Sequence, residues 1–585
     1  SAATGSGIFV NAATNTTGGQ IDPIYAVADA ANPAFGISKG IKWLGNITAN
    51  NANLSVTNEN QGISLNQGPT LNLSGNLSVN TLNGSIGLFA GGDNSNNING
   101  TVTATAGSGN FQLNNGGNVT LGDITANGGI TVYAQGVMDV QGNLSTTSTF
   151  QLEGGTGLSV QAGKTIRSES GTSSLITYTG NIDANSATII APILVIGASG
   201  DVNLDNTNNN IGSLKTGVSI GGNLTLGSTG DFAINEASVA GSTNLTILGG
   251  NVTTTNAATL SGVINANVAS GDFQLQNKVD TKLGNISAGN ANITVTLDGN
   301  ITQEVGTQVS LGNLTLGTSN GSATLTQANQ ITGTVAANVA GALSVTNNDN
   351  LTLGNITASS AGFNVGGNGA LTQFTDTALN MSNGLDVVTA NGAATLSNNN
   401  SITGEITGNV AGDFQLINTQ ATTLGNVTAT GVTVDSTGAL NVNGAVTAST
   451  NAITLTARDG LYSDANGAIT ATSNNVSLYG QGDLALGALV SANNAINVAG
   501  LSNQSAITVG STDGSDELRI SAQTVQNLQA NDQVVLGGSN QQGNITIAGN
   551  TDAASNLKVI GGNIAINSDL NAANNALTIQ SLSGD

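Results

Sequence analysis

Residues 414–429 read Phe-Gln-Leu-Ile-Asn-Thr-Gln-Ala-Thr-Thr-Leu-Gly-Asn-Val-Thr-Ala, and the recurrence of this pattern decides the fold. An apolar anchor, Phe414, is followed ten residues later by Leu424, which opens the phrase Leu-Gly-Asn/Asp-Ile/Val-Thr/Ser-Ala. The same phrase begins at Leu44, Leu121, Leu283 and Leu353, and the last three again have an anchor ten residues upstream, at Phe111, Phe273 and Leu343. The later copies lie 70 and 71 residues apart; the earlier gaps of 77 and 162 imply insertions and one copy too degenerate to read. A 70-residue module with so few aromatics is too small for a conventional domain, but it divides into three turns of ~23 residues, the size of a solenoid repeat.

Inside the modules the hydrophobic period is two. In Ala291-Asn292-Ile293-Thr294-Val295-Thr296-Leu297 the apolar residues alternate with Asn and Thr, the pattern of a strand with one buried face. Ala52 to Val56 and Ile130 to Ala134 alternate in the same way. Asn83-Gly84, Gly249-Gly250 and Asn574-Asn575 punctuate the strands with corner residues. An antiparallel sandwich would also give short strands, but it ends after ~100 residues and does not hold one module for hundreds. The expectation is therefore all-β: a right-handed parallel β-helix of roughly 25 turns, ~120 Å long, in which like residues stack at ~4.8 Å.

Composition narrows the function. The 585 residues include 10 Lys plus Arg, 33 Asp plus Glu, and no His or Cys. Thiolate and imidazole catalysis, Cys/His zinc sites and disulfides are thereby excluded. A net charge of -23 repels phosphate backbones and anionic lipid, so nucleic acid is not an expected partner. The richest apolar stretch, Ile189 to Ile196, is interrupted by Pro192 and is far shorter than the ~20 residues of a membrane helix, so no membrane insertion is expected. The sequence opens at Ser1 without an export segment, which places any such signal outside it or already removed. Absent cysteine in a long acidic chain fits an exported bacterial product better than the cytosolic alternative.

The phrases Gly45 to Thr48, Gly142 to Ser145, Gly222 to Thr225 and Gly562 to Ile564, the last broken by Ala565, resemble the repeats of filamentous haemagglutinin-type exoproteins and other secreted bacterial β-helix passengers. Asn32-Pro33-Ala34-Phe35-Gly36-Ile37 imperfectly echoes the Asn-Pro motif near the start of such exoproteins. The resemblance covers the chain from about residue 43 and implies a right-handed β-helix, export through an outer-membrane transporter, and adhesion at the cell surface. Residues 1–42 hold Pro23 and Pro33, and lead into the single Trp43; they are read as a cap or assembly segment, because the first coil of a solenoid needs its open edge covered. Residues 43–585 are read as the repetitive β-helix. Gly561 onward is ordinary repeat sequence, which suits a fragment of a longer chain or a last coil that meets a partner.

Candidate chemistry is sparse. A polysaccharide lyase would need a free arginine and acidic calcium ligands, a hydrolase paired carboxylates; only Arg167, Arg458 and Arg519 exist. Arg458-Asp459 and Asp516-Glu517-Leu518-Arg519 read as surface ion pairs at turns. Asp93 opens an incomplete EF-hand-like loop, and Asp201, Asp205, Asp513, Asp516 and Glu517 are looser acidic sets; any Ca2+ they hold is expected to be structural and weak, and no other cofactor is implied. Asn-X-Ser/Thr sequons such as Asn46, Asn143 and Asn223 read as by-products of the corner-then-strand pattern. Phe111, Phe273 and Phe414 read as an interior stack. The expected function is a secreted, non-enzymatic adhesin whose partner is a cell-surface or matrix receptor. The alternative is an extracellular filament or surface-layer subunit that binds copies of itself, with a polysaccharide enzyme ranked below both.

Overall fold

The computed structural model describes residues 8–10, 14–15, 40–43, 46–56, 62–65, 69–89, 95–513 and 517–583. The chain forms two compact units, Ser1–Thr296 and Leu297–Asp585. Each is a parallel β-solenoid, and together they contain about 24 turns. In the first unit Phe111–Asn115 lies between Ile86–Leu88 and Ile130–Ala134, all parallel, and Ile130–Ala134 is followed in register by Phe150–Gly154. In the second, Phe414 stands beside Val432, Val432 beside Ile453 and Ile453 beside Val476. One turn is thus as short as 18 residues or as long as 25.

The period-two pattern explains why these segments are strands. Phe111–Asn115 and Val432–Ser436 each bury alternate residues, so one row of side chains enters the coil and the other meets solvent. Inside, Phe111, Phe273 and Phe414 are at most 1 % exposed. Phenylalanines do not face one another in successive turns. Phe111 and Phe150 are separated by Ile130, Phe232 and Phe273 by Val252, and Phe414 is flanked by Ala394 and Val432. Along these stacks the rings alternate with smaller aliphatic residues.

The 70-residue spacing has a structural cause that the repeat alone did not disclose. In Leu351–Ala358, Leu353 and Gly354 are both buried, which breaks the alternation. The preceding strand Thr334–Val339 pairs with this strand on both sides of the break. In the next turn the two halves pair with two separate strands, Leu371–Gln373 and Leu379–Met381. Both of those then pair with the single long strand Ala394–Ile402, which pairs with Phe414–Asn418. The Leu-Gly-Asn phrase is a β-bulge at which one strand column divides in two, and the strand Ala394–Ile402 is where two columns merge. Val119–Ala126 and Thr422–Ala429 divide in the same manner. Thr188–Gly197 is a merging strand in the first unit, receiving Thr165–Ser168 and Thr172–Thr177. Pro192 sits, exposed, in the middle of that strand, where the pairing passes from one partner to the other and a missing N–H is tolerated.

One insertion interrupts the second unit. Ile496 pairs with Val534, and the intervening residues add the strand Ile507–Val509 and a helix, Ala522–Asn527, N-capped by Ser521. Among the described residues no helix is long and apolar enough to cross a membrane. Of the segment read as a cap, Ile8–Val10 runs parallel to Gly40–Trp43, which pairs in turn with Gly62–Leu65; most of residues 1–42, and Leu44, lie outside the described residues.

Candidate functional site

Asparagine does most of the specific bonding, in two distinct settings. At the corners, Asn or Asp accepts the backbone N–H at the like position one turn later. Asn181 Oδ1 accepts from Asp201 N at 2.8 Å, Asp201 Oδ1 from Asn223 N at 2.7 Å, and Asn223 Oδ1 from Ser242 N at 2.8 Å. The residue after Leu-Gly belongs to the same ladder: Asp123, Asn355 and Asn426 cap Asn143, Ala378 and Ala445. Asn46 and Asn143, both in sequons, cap Thr70 and Thr165. The short Asx side chain supplies the acceptor that a backbone N–H leaving a corner otherwise lacks.

The second setting is internal and was missed from sequence. Asn115, Asn277, Asn347 and Asn418 are at most 1 % exposed. Each stands four residues after the anchor Phe111, Phe273, Leu343 or Phe414. Asn418 Oδ1 accepts from Ile402 N at 2.8 Å, and its Nδ2 donates to Ile402 O at 2.9 Å and to Thr422 Oγ1 at 3.0 Å. Asn277 makes the same pair of bonds with Leu260, and Asn347 with Ile331. An interior side-chain amide thus imitates a strand backbone toward the turn before it. The signal was present as an invariant Asn at anchor plus four in all four copies.

The acidic residues singled out from sequence are not brought together as a metal site. Asp201 is a ladder acceptor, and Asp205 Oδ1 accepts from Ser186 N, which has a left-handed φ of 58°. Asp513 and Glu517 are exposed, and Asp93 and Asp516 lie outside the described residues. Among the described residues no three Asp or Glu side chains converge as metal ligands. The Arg458 pairing differs from the expected one. Arg458 binds Asp435 at 2.9 Å, a turn earlier, rather than the adjacent Asp459. Arg519 binds Asp483 at 2.6 Å, its register partner in the sheet. Parallel stacking brings side chains a whole turn apart within ion-pair distance.

Two surface grooves are lined by described residues that include aromatic or charged side chains. One in the second unit, of ≈ 720 Å3, is lined by polar groups together with Arg458, Tyr479 and Lys558. The other, in the first unit, is ≈ 530 Å3 and contains Phe89, Tyr133, Tyr178 and Glu153. Phe89 and Tyr133 meet edge to face with ring centroids 5.6 Å apart. Tyr178 Oη donates to Glu153 Oε2 at 2.9 Å, and Gln151 Nε2 donates to Oε1 at 2.6 Å. The bond to Glu153 raises the Tyr178 phenol above its usual value, with burial adding to it; burial first and the Glu153 charge second raise Tyr133.

Fold and sites together define a parallel β-solenoid held by asparagine ladders. Comparison of the chain with protein-family models, curated proteins and solved structures finds no match.

Proposed function

We propose that this chain is the solenoid body of a secreted bacterial cell-surface adhesin, structural and adhesive rather than enzymatic, with a cell-surface or matrix receptor as partner. The observation that carries this reading is where the polar groups are engaged. Outward Asn, Thr and Ser bond to their copies one turn away, as in Asn265 to Asn244 at 2.8 Å, Asn256 to Asn235 at 2.8 Å and Ser491 to Thr470 at 3.1 Å. A charge repeated at such a position would face its own copy one strand spacing away, and like charges directly opposite destabilise. Each of the three arginines is directed at a carboxylate: Glu169, Asp435 and Asp483. A neutral, self-bonded coat and committed cations suit a display scaffold better than a polysaccharide-cleaving cleft.

The test is direct. Purified chain coated on beads should bind host cells or matrix proteins saturably, and soluble chain should compete. Negative-stain images at micromolar concentration should show single particles; filaments or sheets would favour the self-assembling subunit. Release of unsaturated products from pectin or alginate would overturn the non-enzymatic reading.

A further inference from the structure

The first-unit groove combines three features. Its walls are aromatic, formed by Phe89, Tyr133 and Tyr178. A carboxylate, Glu153, lies among them with both oxygens oriented by donors from Tyr178 and Gln151. The lining includes no Lys or Arg, so a protein cation lining the groove does not neutralise that carboxylate. Two fixed hydrogen bonds leave further lone-pair directions on a carboxylate that can accept from a ligand.

These features select by charge. An anion would meet Glu153 and a chain of net charge -23, and is disfavoured. A neutral sugar could stack on the rings and donate a hydroxyl to Glu153, but it would leave the carboxylate charge unneutralised. An organic ammonium ion gains from both, because the faces of aromatic rings attract cations and the carboxylate supplies the counter-charge. The volume of ≈ 530 Å3 is in the range of small-ligand sites. We propose that this groove binds a quaternary or alkylated ammonium group, held against Tyr133 and Tyr178 with Glu153 as its counter-ion. The inference does not depend on the adhesive reading.

The test is calorimetric titration of the full chain with choline chloride and, separately, with its uncharged carbon isostere, dimethylbutanol, at fixed ionic strength. Choline is expected to bind at least ~10-fold more tightly than the isostere, a difference of about 1.4 kcal/mol. Glu153→Gln should remove most of that preference, and Tyr178→Ala should weaken choline binding several-fold. Both side chains lie at the surface of a strand or turn, and unchanged circular dichroism would show that the coil is intact; Tyr178→Phe, which keeps the ring, gives a second variant with minimal disturbance. Equal binding of choline and dimethylbutanol, choline binding unaffected by Glu153→Gln, or binding of cellotriose without any of choline would overturn the proposal.

Discussion

The internal asparagines give the sharpest test of how the coil is held. Asn418→Ala removes an amide that satisfies both the N–H and the C=O of Ile402 across the turn, at 2.8 and 2.9 Å, in a site that is 0 % exposed. Alanine restores neither bond and leaves a small void. Each buried polar group deprived of a partner costs ~1–3 kcal/mol, so a loss of about 2–5 kcal/mol of local stability is expected. Asn426→Ala deletes an exposed ladder residue whose single bond caps Ala445 N; like loss of a helix cap it should cost only ~1 kcal/mol. Because stability in a solenoid is largely a sum of turn-by-turn terms, the assay is hydrogen exchange of peptides spanning residues 400–420, with denaturant unfolding as support. Asn418→Ala should accelerate exchange of the Ile402 amide by at least ~30-fold, corresponding to about 2 kcal/mol. An effect no larger than that of Asn426→Ala would refute the idea that the interior amide acts as a substitute strand.

Other consequences are open to measurement. Gly284→Ala places a methyl against Asn265, whose side chain is fixed by bonds to Asn244 and Asn285; a loss of ~1–3 kcal/mol in denaturant unfolding is expected. Gly425→Ala meets first the exposed side chain of Glu405, which can swing into solvent, and should cost less. Asp201→Asn keeps the ladder acceptor and should leave the melting temperature unchanged, whereas Asp201→Ala should lower it. Asp413 is held below its ordinary pKa by hydrogen bonds from Thr430 Oγ1 and Asn451 Nδ2. Its lowered folded-state pKa stabilises above the unfolded value, and that contribution disappears as pH falls through the folded value; Asp413→Asn should therefore reduce the acid sensitivity of exchange in residues 412–431. Glu153→Gln should bring the Tyr178 phenol down toward its usual value, read by ultraviolet titration.

Several levels of this molecule are legible in its residues. Alternation such as Ala291 to Val295 specifies a strand with one buried face, and its recurrence with Leu-Gly-Asn at a near-constant spacing specifies stacked parallel coils. Both are local or periodic properties, and backbone geometry converts them into structure almost without reference to other parts of the chain. The burial of Phe111, Phe273 and Phe414 follows from the same alternation. Tertiary structure decided what depends on which turn lies beside which. Only the stacked coils show that Leu353-Gly354 divides a column of strands and that Ala394–Ile402 reunites two, because each event is defined by partners a turn away. Arg458 and Arg519 find Asp435 and Asp483 for the same reason, each carboxylate belonging to the neighbouring turn. The buried Asn418 and its equivalents gain their role only because the coil places Ile402 and its counterparts against them. Likewise Phe89, Tyr133, Glu153 and Tyr178, each from a different turn, become one groove only after stacking. The sequence by itself determined the period and therefore the solenoid; adjacency between turns, which no local pattern encodes, determined its bonds and its surface.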